Sequence, residues 1–507
     1  MSKSLLQLFA ETEALTPVPD VKITGITLDS RQVQEGYLFI ALRGGKIDGH
    51  IYIDDALERG AAAVVGSETP PEGYETYVQV PDGRRALAAL SAAFYDYPSR
   101  QLTVVGVTGT DGKTTTSNLL FRILQESGIE AGMITTVNAQ IGDLELDTGF
   151  HVTTPEAPDV HRYLSQMVSE GLTHVVLEAT SHGLVQQRVG SVAFDYGVVT
   201  NVTHEHLDYH GSYAEYLAAK GLLFQMLGEE GVVILNRDDE SYDYLAKISG
   251  GRQISYGRHP KSDLRAENVR HSPVGLRFTA IGAGLTMEVE CQLLGEYNVY
   301  NILAALATTV FGMGLSPDVA LAGIASLESV SGRMEVVDRS QRFTAIVDFA
   351  HTPNALLNAV KTARLLTEKR VITVFGSAGL RDKEKRRLMA ENSQRLADLT
   401  ILTAEDPRTE SLDDILREMA QGAESEGGVE GKTFWRIRDR GEAIRFALKL
   451  ADEGDVVLVL GKGHEQSMCF EEIEYPWDDR TALEAALAEY LDIEGPEMPF
   501  LPTQESL

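Results

Sequence analysis

Short runs of β-branched and aliphatic residues recur along the chain, and stretches with helical spacing separate them. The first hundred residues hold Val21–Thr27, Tyr37–Ala41 and Ala61–Val65 as strand-like runs, then an amphipathic helix over Arg84–Tyr95. His174–Ala179, Tyr196–Thr200 and Gly231–Asn236 follow as continuous apolar runs. Thr344–Asp348, Val371–Gly376, Leu399–Thr403 and Asp455–Gly461 repeat the pattern near the C-terminus. Runs that are apolar throughout, rather than alternating, predict strands covered on both faces, and so an α/β fold with parallel sheets. Pro98-Ser-Arg marks a boundary before the second unit. The pattern divides the chain into 1–100, 101–332 and 333–493. The last of these looks Rossmann-like, although no intact G-x-G-x-x-G opens it. Residues 494–507 are proline-rich and read as a loose tail.

One stretch combines a strand with chemistry. Thr103 to Thr108 is β-branched, Gly109-Thr-Asp-Gly112 is a turn, and Lys113-Thr-Thr-Thr116 opens a segment of helical period carried by Leu119, Leu120, Ile123 and Leu124. This is strand, phosphate loop, helix. Bare amides at a helix N-terminus, with Lys113 among them, suit a polyphosphate, and the Thr114 hydroxyl suits its Mg²⁺. The usual phosphate-loop glycine five places before Gly112 is replaced by Val107, so T-G-T-D-G-K-T is a narrower variant. An ordinary glycine-rich turn is the competing reading of the stretch taken alone.

Composition narrows the class. With 507 residues, about three domains of ~150 residues fit the length. Forty-five basic side chains face 75 acidic ones, a net charge of −30. That balance argues against a general nucleic-acid partner, which needs basic patches. Cys291 and Cys469 are the two cysteines, too few for a disulfide framework. The N-terminus lacks the apolar core of a signal peptide, and no apolar run approaches the ~18 residues of a membrane span. A soluble, cytoplasmic and monomeric protein is expected.

Polar clusters follow several strand-like runs, where open α/β sheets bind ligands. Glu178-Ala-Thr180-Ser181-His182-Gly183 ends one run. Asn201-Val-Thr-His204-Glu-His206-Leu-Asp208-Tyr-His210 ends the next. The histidine spacing does not match a zinc helix, and no cysteine pair accompanies it. Beside a phosphate loop, Glu178 and His206 fit Mg²⁺ better, while His204 and His210 fit loop hydrogen bonds. Lys220 lies near the apolar stripe of a helix over Tyr213–Phe224. A snorkelling surface lysine is its bland reading, because a free ammonium beside Mg²⁺ would be repelled. Asn298 and Asn301 share a helix face and either read an adenine edge or cap the helix. Ser30-Arg31 and Asp48-Gly49-His50 are polar turns that suit a phosphate, or are only turns.

Taken in order, Thr108–Thr114, Glu178 to Gly183, Asn201 to Gly211, Gly295-x-x-Asn298-x-x-Asn301, Gly332-Arg333-Met-Glu and Asp348-x-Ala-His351-Thr-Pro resemble the Mur ligases. The resemblance covers nearly the whole chain. Thr153-Thr154-Pro, Ser181 to Arg188, Arg381-Asp-Lys-x-Lys-Arg386, Asp406-Pro-Arg408 and Gly461-Lys-Gly-His-Glu465 narrow it to members that add a diamino acid to UDP-N-acetylmuramoyl-L-alanyl-D-glutamate. It implies a three-domain architecture: an N-terminal UDP-binding domain, a central ATP-binding domain and a C-terminal amino-acid-binding domain. It also implies an acyl-phosphate mechanism that uses ATP and Mg²⁺ in cytoplasmic peptidoglycan precursor synthesis.

By the same resemblance, Thr108, Gly109, Thr110, Gly112, Lys113, Thr114, Thr115, Asn301, Arg333, Asp348 and His351 serve ATP. Thr114, Glu178, His206 and a carbamylated Lys220 serve the metal. Ser30, Arg31, Asp48, Gly49, His50, Thr153, Thr154, Thr180, Gln186 and Arg188 serve the UDP-muramoyl dipeptide. Arg381, Asp406, Arg408, Gly461 and Glu465 serve the amino acid. Lys113, Glu178, His206, Lys220 and Arg333 carry the catalysis.

The chain departs from the family pattern in places. Asp111 replaces an asparagine, Thr180 a serine and Ser331 a proline. In the amino-acid motif, Glu405-Asp406-Pro-Arg408 stands for Asp-Asn-Pro-Arg. Arg408 suits the distal carboxylate of meso-diaminopimelate. An anion at Asp406 opposes that carboxylate and favours the ammonium tail of L-lysine or L-ornithine, so both substrate types stay open. A folylpolyglutamate- or cyanophycin-type ligase of the same superfamily is a second reading. A non-catalytic nucleotide-sugar binder or a phosphate-loop switch is a third, and it lacks a guanine-reading Asn-Lys-x-Asp.

Overall fold

The computed structural model describes every residue except 1, 45–47, 70–72, 137, 143, 148–153, 204–209, 273–274 and 507. Two compact units make up the chain. One comprises 1–205, 212–255 and 307–315; the other comprises 206–211, 256–306 and 316–507.

The first unit begins with a parallel sheet in the order Gly25–Thr27, Tyr37–Ala41, Ala63–Gly66, Tyr77–Gln79. Helix Gly83–Phe94 covers it, with Leu87, Leu90 and Phe94 buried on the face that meets Leu38 and Val65. Asp82 caps this helix by accepting from the Arg84 and Arg85 amides. The central sheet of this unit places Thr103–Thr108 between His174–Glu178 and Phe194–Val199, all parallel. Ala131–Ile134 extends it on one side and Leu227–Asn236 on the other, again in parallel. Val104, Val105 and Val107 are buried, as a continuous apolar run requires. Helix Lys113–Glu126 packs Leu119, Leu120, Ile123 and Leu124 inward, following the helical spacing of its sequence.

The second unit contains a six-stranded sheet ordered Glu335–Val336, Thr344–Asp348, Val456–Leu460, Val371–Phe375, Leu399–Leu402, Phe434–Arg436. Its strands are parallel except the short first one. This unit also carries an antiparallel meander, Leu264–Ser272, Gly275–Gly282 and Leu285–Cys291.

The C-terminal stretch is not a loose tail. Leu501 is fully buried in the core of the six-stranded sheet. The Thr503 hydroxyl donates to Asp439 at 2.7 Å, and Asp439 itself caps helix Arg440–Leu450. Prolines on either side of Met498 and Leu501 mask the two apolar anchors in the sequence. No helix among the described residues is long and apolar enough to cross a membrane.

Candidate active site

In the first unit the site is built on the turn after Thr103–Thr108. Helix Lys113–Glu126 starts at Gly112, which has φ +84° and offers no capping side chain. A helix N-terminus without a capping side chain is a place that suits an anion. The turn itself is clamped. Thr110 N–H donates to the Asn201 carbonyl at 2.8 Å. The Asn201 amide both accepts from Asp111 N–H and donates to the Asp111 carbonyl, each at 3.0 Å. The Thr200 hydroxyl donates to the same carbonyl at 2.6 Å. Gly109 has φ +147°, and a Cβ there would stand 1.9 Å from Thr200 Oγ1, so no larger residue fits.

Lys220 is buried, not a surface lysine. Its Nζ donates to the Gly109 carbonyl at 2.5 Å and lies 4.5 Å from the Tyr216 ring centroid. Tyr216 in turn shares a hydrogen bond with the Thr110 hydroxyl at 3.1 Å. Asn201, Thr200 and Tyr216 were not singled out for this role in the sequence, since their partners lie about ninety to a hundred residues away.

Glu178, at the end of its strand, is almost fully buried. Its Oε2 accepts from the Thr114 hydroxyl at 3.0 Å, and Lys113 Nζ lies 3.9 Å from Oε1. A carboxylate and a hydroxyl beside a lysine form an oxygen-rich donor set that suits a hard cation such as Mg²⁺. His204, His206 and Asp208 lie outside the described residues, as does Thr153. Among the described residues no group of three or more His, Cys, Asp or Glu gathers as a metal cluster.

Beside this loop, Thr154 and Thr180 share a hydrogen bond at 3.1 Å, and Thr180 caps the short helix Ser181–Val185. Arg188 donates to the Thr154 carbonyl at 2.8 Å and pairs with Glu156 at 3.0 Å. Arg84 reaches the Gln186 carbonyl at 3.4 Å. The structure thus brings Thr154, Thr180, Gln186 and Arg188 into one neighbourhood. In the small sheet's loops, Ser30 is buried and Arg31 forks onto Asp29 at 2.7 and 2.9 Å. Asp48 accepts from the His50 amide at 3.0 Å and meets its Nδ1 at 2.6 Å. Gly49 donates its N–H to the Leu42 carbonyl.

In the second unit, Asn298 and Asn301 do share a face: Asn301 donates to Asn298 Oδ1 at 2.8 Å, and Asn298 donates to the Leu294 carbonyl at 2.7 Å. Arg333, His351 and His464 surround Phe349, at 4.5, 4.3 and 4.8 Å from its ring. Asp348 accepts from the Met334 and Ala350 amides at 2.7 and 2.8 Å. Gly461 N–H donates to the Asp348 carbonyl at 3.0 Å. Burial, with Arg333 and Lys462 nearby, pushes the His464 imidazole down to about 3.

Asp406 is not the bare anion that its sequence position suggests. Its two oxygens each lie 3.1 Å from Lys462 Nζ, and it accepts from Cys469 N–H at 2.9 Å. Lys462 is fully buried and also meets Glu465 at 2.5 Å. Burial alone works against its ammonium, but Glu465 and Asp406 outweigh it and hold its pKa above the ordinary lysine value. Arg408 sits in the left-handed region at φ +54°, its N–H bonded to the Cys469 carbonyl at 3.1 Å. Arg381 is exposed. Glu405 is buried with its Oε2 unpartnered, and burial pushes its carboxyl up to about 6 against Lys385, Arg440 and Lys462.

An α/β phosphate-loop protein with two further sheets of largely parallel strands is the class that this fold and site define. Three family models match the chain in order: Mur ligase family, catalytic domain, over 22–95; Mur ligase middle domain over 107–309; and Mur ligase, glutamate ligase domain, over 332–463. The UDP-N-acetylmuramoyl-L-alanyl-D-glutamate--2,6-diaminopimelate ligase of Geobacillus kaustophilus (strain HTA426) is 42% identical over 473 residues, covering 92% of this chain and 95% of the relative. The UDP-N-acetylmuramyl-tripeptide synthetase of Roseiflexus sp. (strain RS-1) is 42% identical over 502 residues, covering 96% and 98%. A solved UDP-N-acetylmuramoyl-L-alanyl-D-glutamate--2,6-diaminopimelate ligase is 30% identical with a TM-score of 0.67, covering 97% of this chain and all of that one. Folylpolyglutamate synthase from Mycobacterium tuberculosis shares the fold at 14% identity and a TM-score of 0.62. The chain belongs to the Mur ligase family.

Proposed function

We propose that this ligase joins an amino group of meso-diaminopimelate to the D-glutamate carboxylate of UDP-N-acetylmuramoyl-L-alanyl-D-glutamate, with ATP as the driving reagent. The names of its 42%-identical relatives support that acceptor. A carboxylate is a poor electrophile, so its oxygen first takes the γ-phosphoryl of ATP, releasing ADP. The amine then attacks the acyl carbon of the acyl phosphate, phosphate leaves, and the amine loses a proton.

Positioning and charge neutralisation are what such a transfer needs from a protein. Lys113 and the N-terminus of helix Lys113–Glu126, with Thr108, Gly109, Thr110, Gly112 and Thr115, cradle the phosphates. Thr114 and Glu178, together with His206, would hold Mg²⁺, which when bound offsets the phosphate charge. Lys220 as a carbamate would turn an ammonium into an anion suited to that cation, and its remaining N–H can keep the bond to Gly109. Asn301 reads the adenine, and Arg333, Asp348 and His351 serve the phosphate and ribose. Ser30, Arg31, Asp48, Gly49 and His50 hold the UDP, while Thr153, Thr154, Thr180, Gln186 and Arg188 hold the muramoyl dipeptide. A division into domains at 100 and 332, a monomeric state and a cytoplasmic location complete the reading.

The choice of amino acid rests on the pairing of Asp406 with Lys462. An unpaired Asp406 would repel a distal carboxylate; bound to Lys462, it leaves Arg408 to recognise one. Arg381 takes the α-carboxylate, and Gly461 and Glu465 attend the distal amine. The test is phosphate release from ATP with the muramoyl dipeptide and a panel of meso-diaminopimelate, L-lysine and L-ornithine. Turnover is expected with diaminopimelate, and only when all three substrates are present. Faster turnover with L-lysine or L-ornithine would overturn the substrate assignment, and substrate-independent hydrolysis would overturn the ligase reading.

A further inference from the structure

Two neighbouring loops of the second unit leave adjacent parallel strands. Residues 376–382 follow Val371–Phe375, and residues 403–411 follow Leu399–Leu402. Arg381 lies on the first loop and Arg408 on the second. The loops are knitted together by their own backbone and by one carboxylate. Gly379 N–H donates to the Asp406 carbonyl at 2.9 Å. Gly379 also lies so close to Pro407 that a Cβ would stand 2.0 Å from its carbonyl oxygen. The Glu410 carboxylate accepts from Leu380 N–H at 2.8 Å.

The buried Arg386 guanidinium grips that same carboxylate and also meets Glu418 at 2.8 Å. Its bond to Arg386 pulls Glu410 down to about 2, so Glu410 is ionised at neutral pH. Leu380 has φ +57°, a conformation that a leucine keeps only where its surroundings enforce it. One carboxylate thus fastens the residue immediately before Arg381 to a loop position two residues after Arg408.

Two cations at a fixed span act as a gauge for two carboxylates. On the substrate reading given above, we infer that Glu410, held by Arg386, is a positioning residue that sets the spacing of Arg381 and Arg408 and so the length of dicarboxylate diamino acid that the ligase accepts. A shift of about 1 Å in such a pair is enough to cost up to ~10²-fold in rate.

The experiment compares wild type, Glu410→Gln, Glu410→Asp and Glu418→Gln. The amino-acid substrates are meso-diaminopimelate and its homologues one methylene shorter and longer. In Glu410→Gln the KM for diaminopimelate should rise about tenfold or more, and the preference over the homologues should shrink. The KM for ATP should stay at the wild-type value. Glu410→Asp, which keeps the charge, should lose less, and Glu418→Gln, which leaves Leu380 bonded, should keep the wild-type preference. An unchanged KM and length preference in Glu410→Gln would overturn the inference, as would an equal rise in the KM for ATP. Should Glu410→Gln not fold, Glu410→Asp decides by the same two readouts. A wild-type enzyme that ignores diaminopimelate overturns the substrate reading and this inference together. Activity on diaminopimelate with an indifferent Glu410 variant overturns the inference alone.

Discussion

Lys220 Nζ donates to the carbonyl oxygen of Gly109 at 2.5 Å, across 111 residues of sequence. The lysine thereby ties the helix Tyr213–Gln225 to the loop that precedes helix Lys113–Glu126. Lys220→Ala should lower phosphate release by at least ~10²-fold, the scale of losing one preorganised electrostatic group. Added bicarbonate should not restore it, because the variant has no amine to carbamylate. Intact-mass measurement of the wild type should show the mass of one added CO₂. Full activity in the alanine variant would discard the carbamate reading.

Gly109 allows no side chain. Its φ of +147° costs an alanine ~1–3 kcal/mol, before the 1.9 Å approach to Thr200 Oγ1 is counted. Gly109→Ala should therefore bind ADP far more weakly than wild type by calorimetry and melt at a lower temperature. Adding Thr200→Ala should recover part of the loss by removing the clash while leaving the backbone strain. Equal ADP affinity in Gly109→Ala and wild type would show that the loop tolerates the change.

The Asp406–Lys462–Glu465 arrangement makes unequal demands on its members. Lys462→Met leaves two carboxylates around a vacated cation site, and breaking a buried pair in this way costs ~3–5 kcal/mol. Asp406→Asn keeps an acceptor for Cys469 N–H and leaves Lys462 paired with Glu465, so its cost should be nearer ~1 kcal/mol. Urea denaturation of both variants measures the difference. Asp406→Asn should also keep the wild-type ratio of diaminopimelate to lysine turnover. A large gain in that ratio would mean that the Asp406 charge does face the substrate.

What could be read in the sequence was what is local. Thr103 to Thr116 forms strand, turn and helix because its β-branched run, its glycines and its helical spacing lie within one short segment. The parallel strands were visible as apolar runs for the same reason. Asn298 and Asn301 were placed on one helix face from their spacing, and they are hydrogen-bonded. The pairing of Asp406 with Lys462 has no local signature, because Lys462 lies 56 residues further on and no periodicity links the two. The burial of Lys220 was equally hidden, since a lysine beside an apolar stripe looks the same whether its ammonium meets solvent or a carbonyl. The C-terminal anchors Met498 and Leu501 were obscured by the prolines around them. The clamp of Asn201 and Thr200 on Asp111 depends on two strands lying side by side, which the sequence does not state.

Glu405 gives the fold a pH dependence in a range where it can be measured. Burial raises its carboxyl from the ordinary 4.5 to about 6, despite the opposing charges of Lys385, Arg440 and Lys462. An acid whose pKa is raised by folding is tolerated best when protonated. Its stabilising contribution is complete below about pH 4.5 and is lost as the pH rises through about 6. The size of the effect is about 2 kcal/mol at neutral pH. Glu405→Gln, an uncharged side chain of the same shape, should not carry this dependence. Relative to wild type it should therefore gain stability as the pH is raised from 4.5 to 7, and the gain should level off above 7. Thermal melts of the two proteins across that range measure the gap. A gap that stays flat with pH would mean that the Glu405 carboxyl titrates alike in the folded and unfolded chain, and that its Oε2 is reached by water.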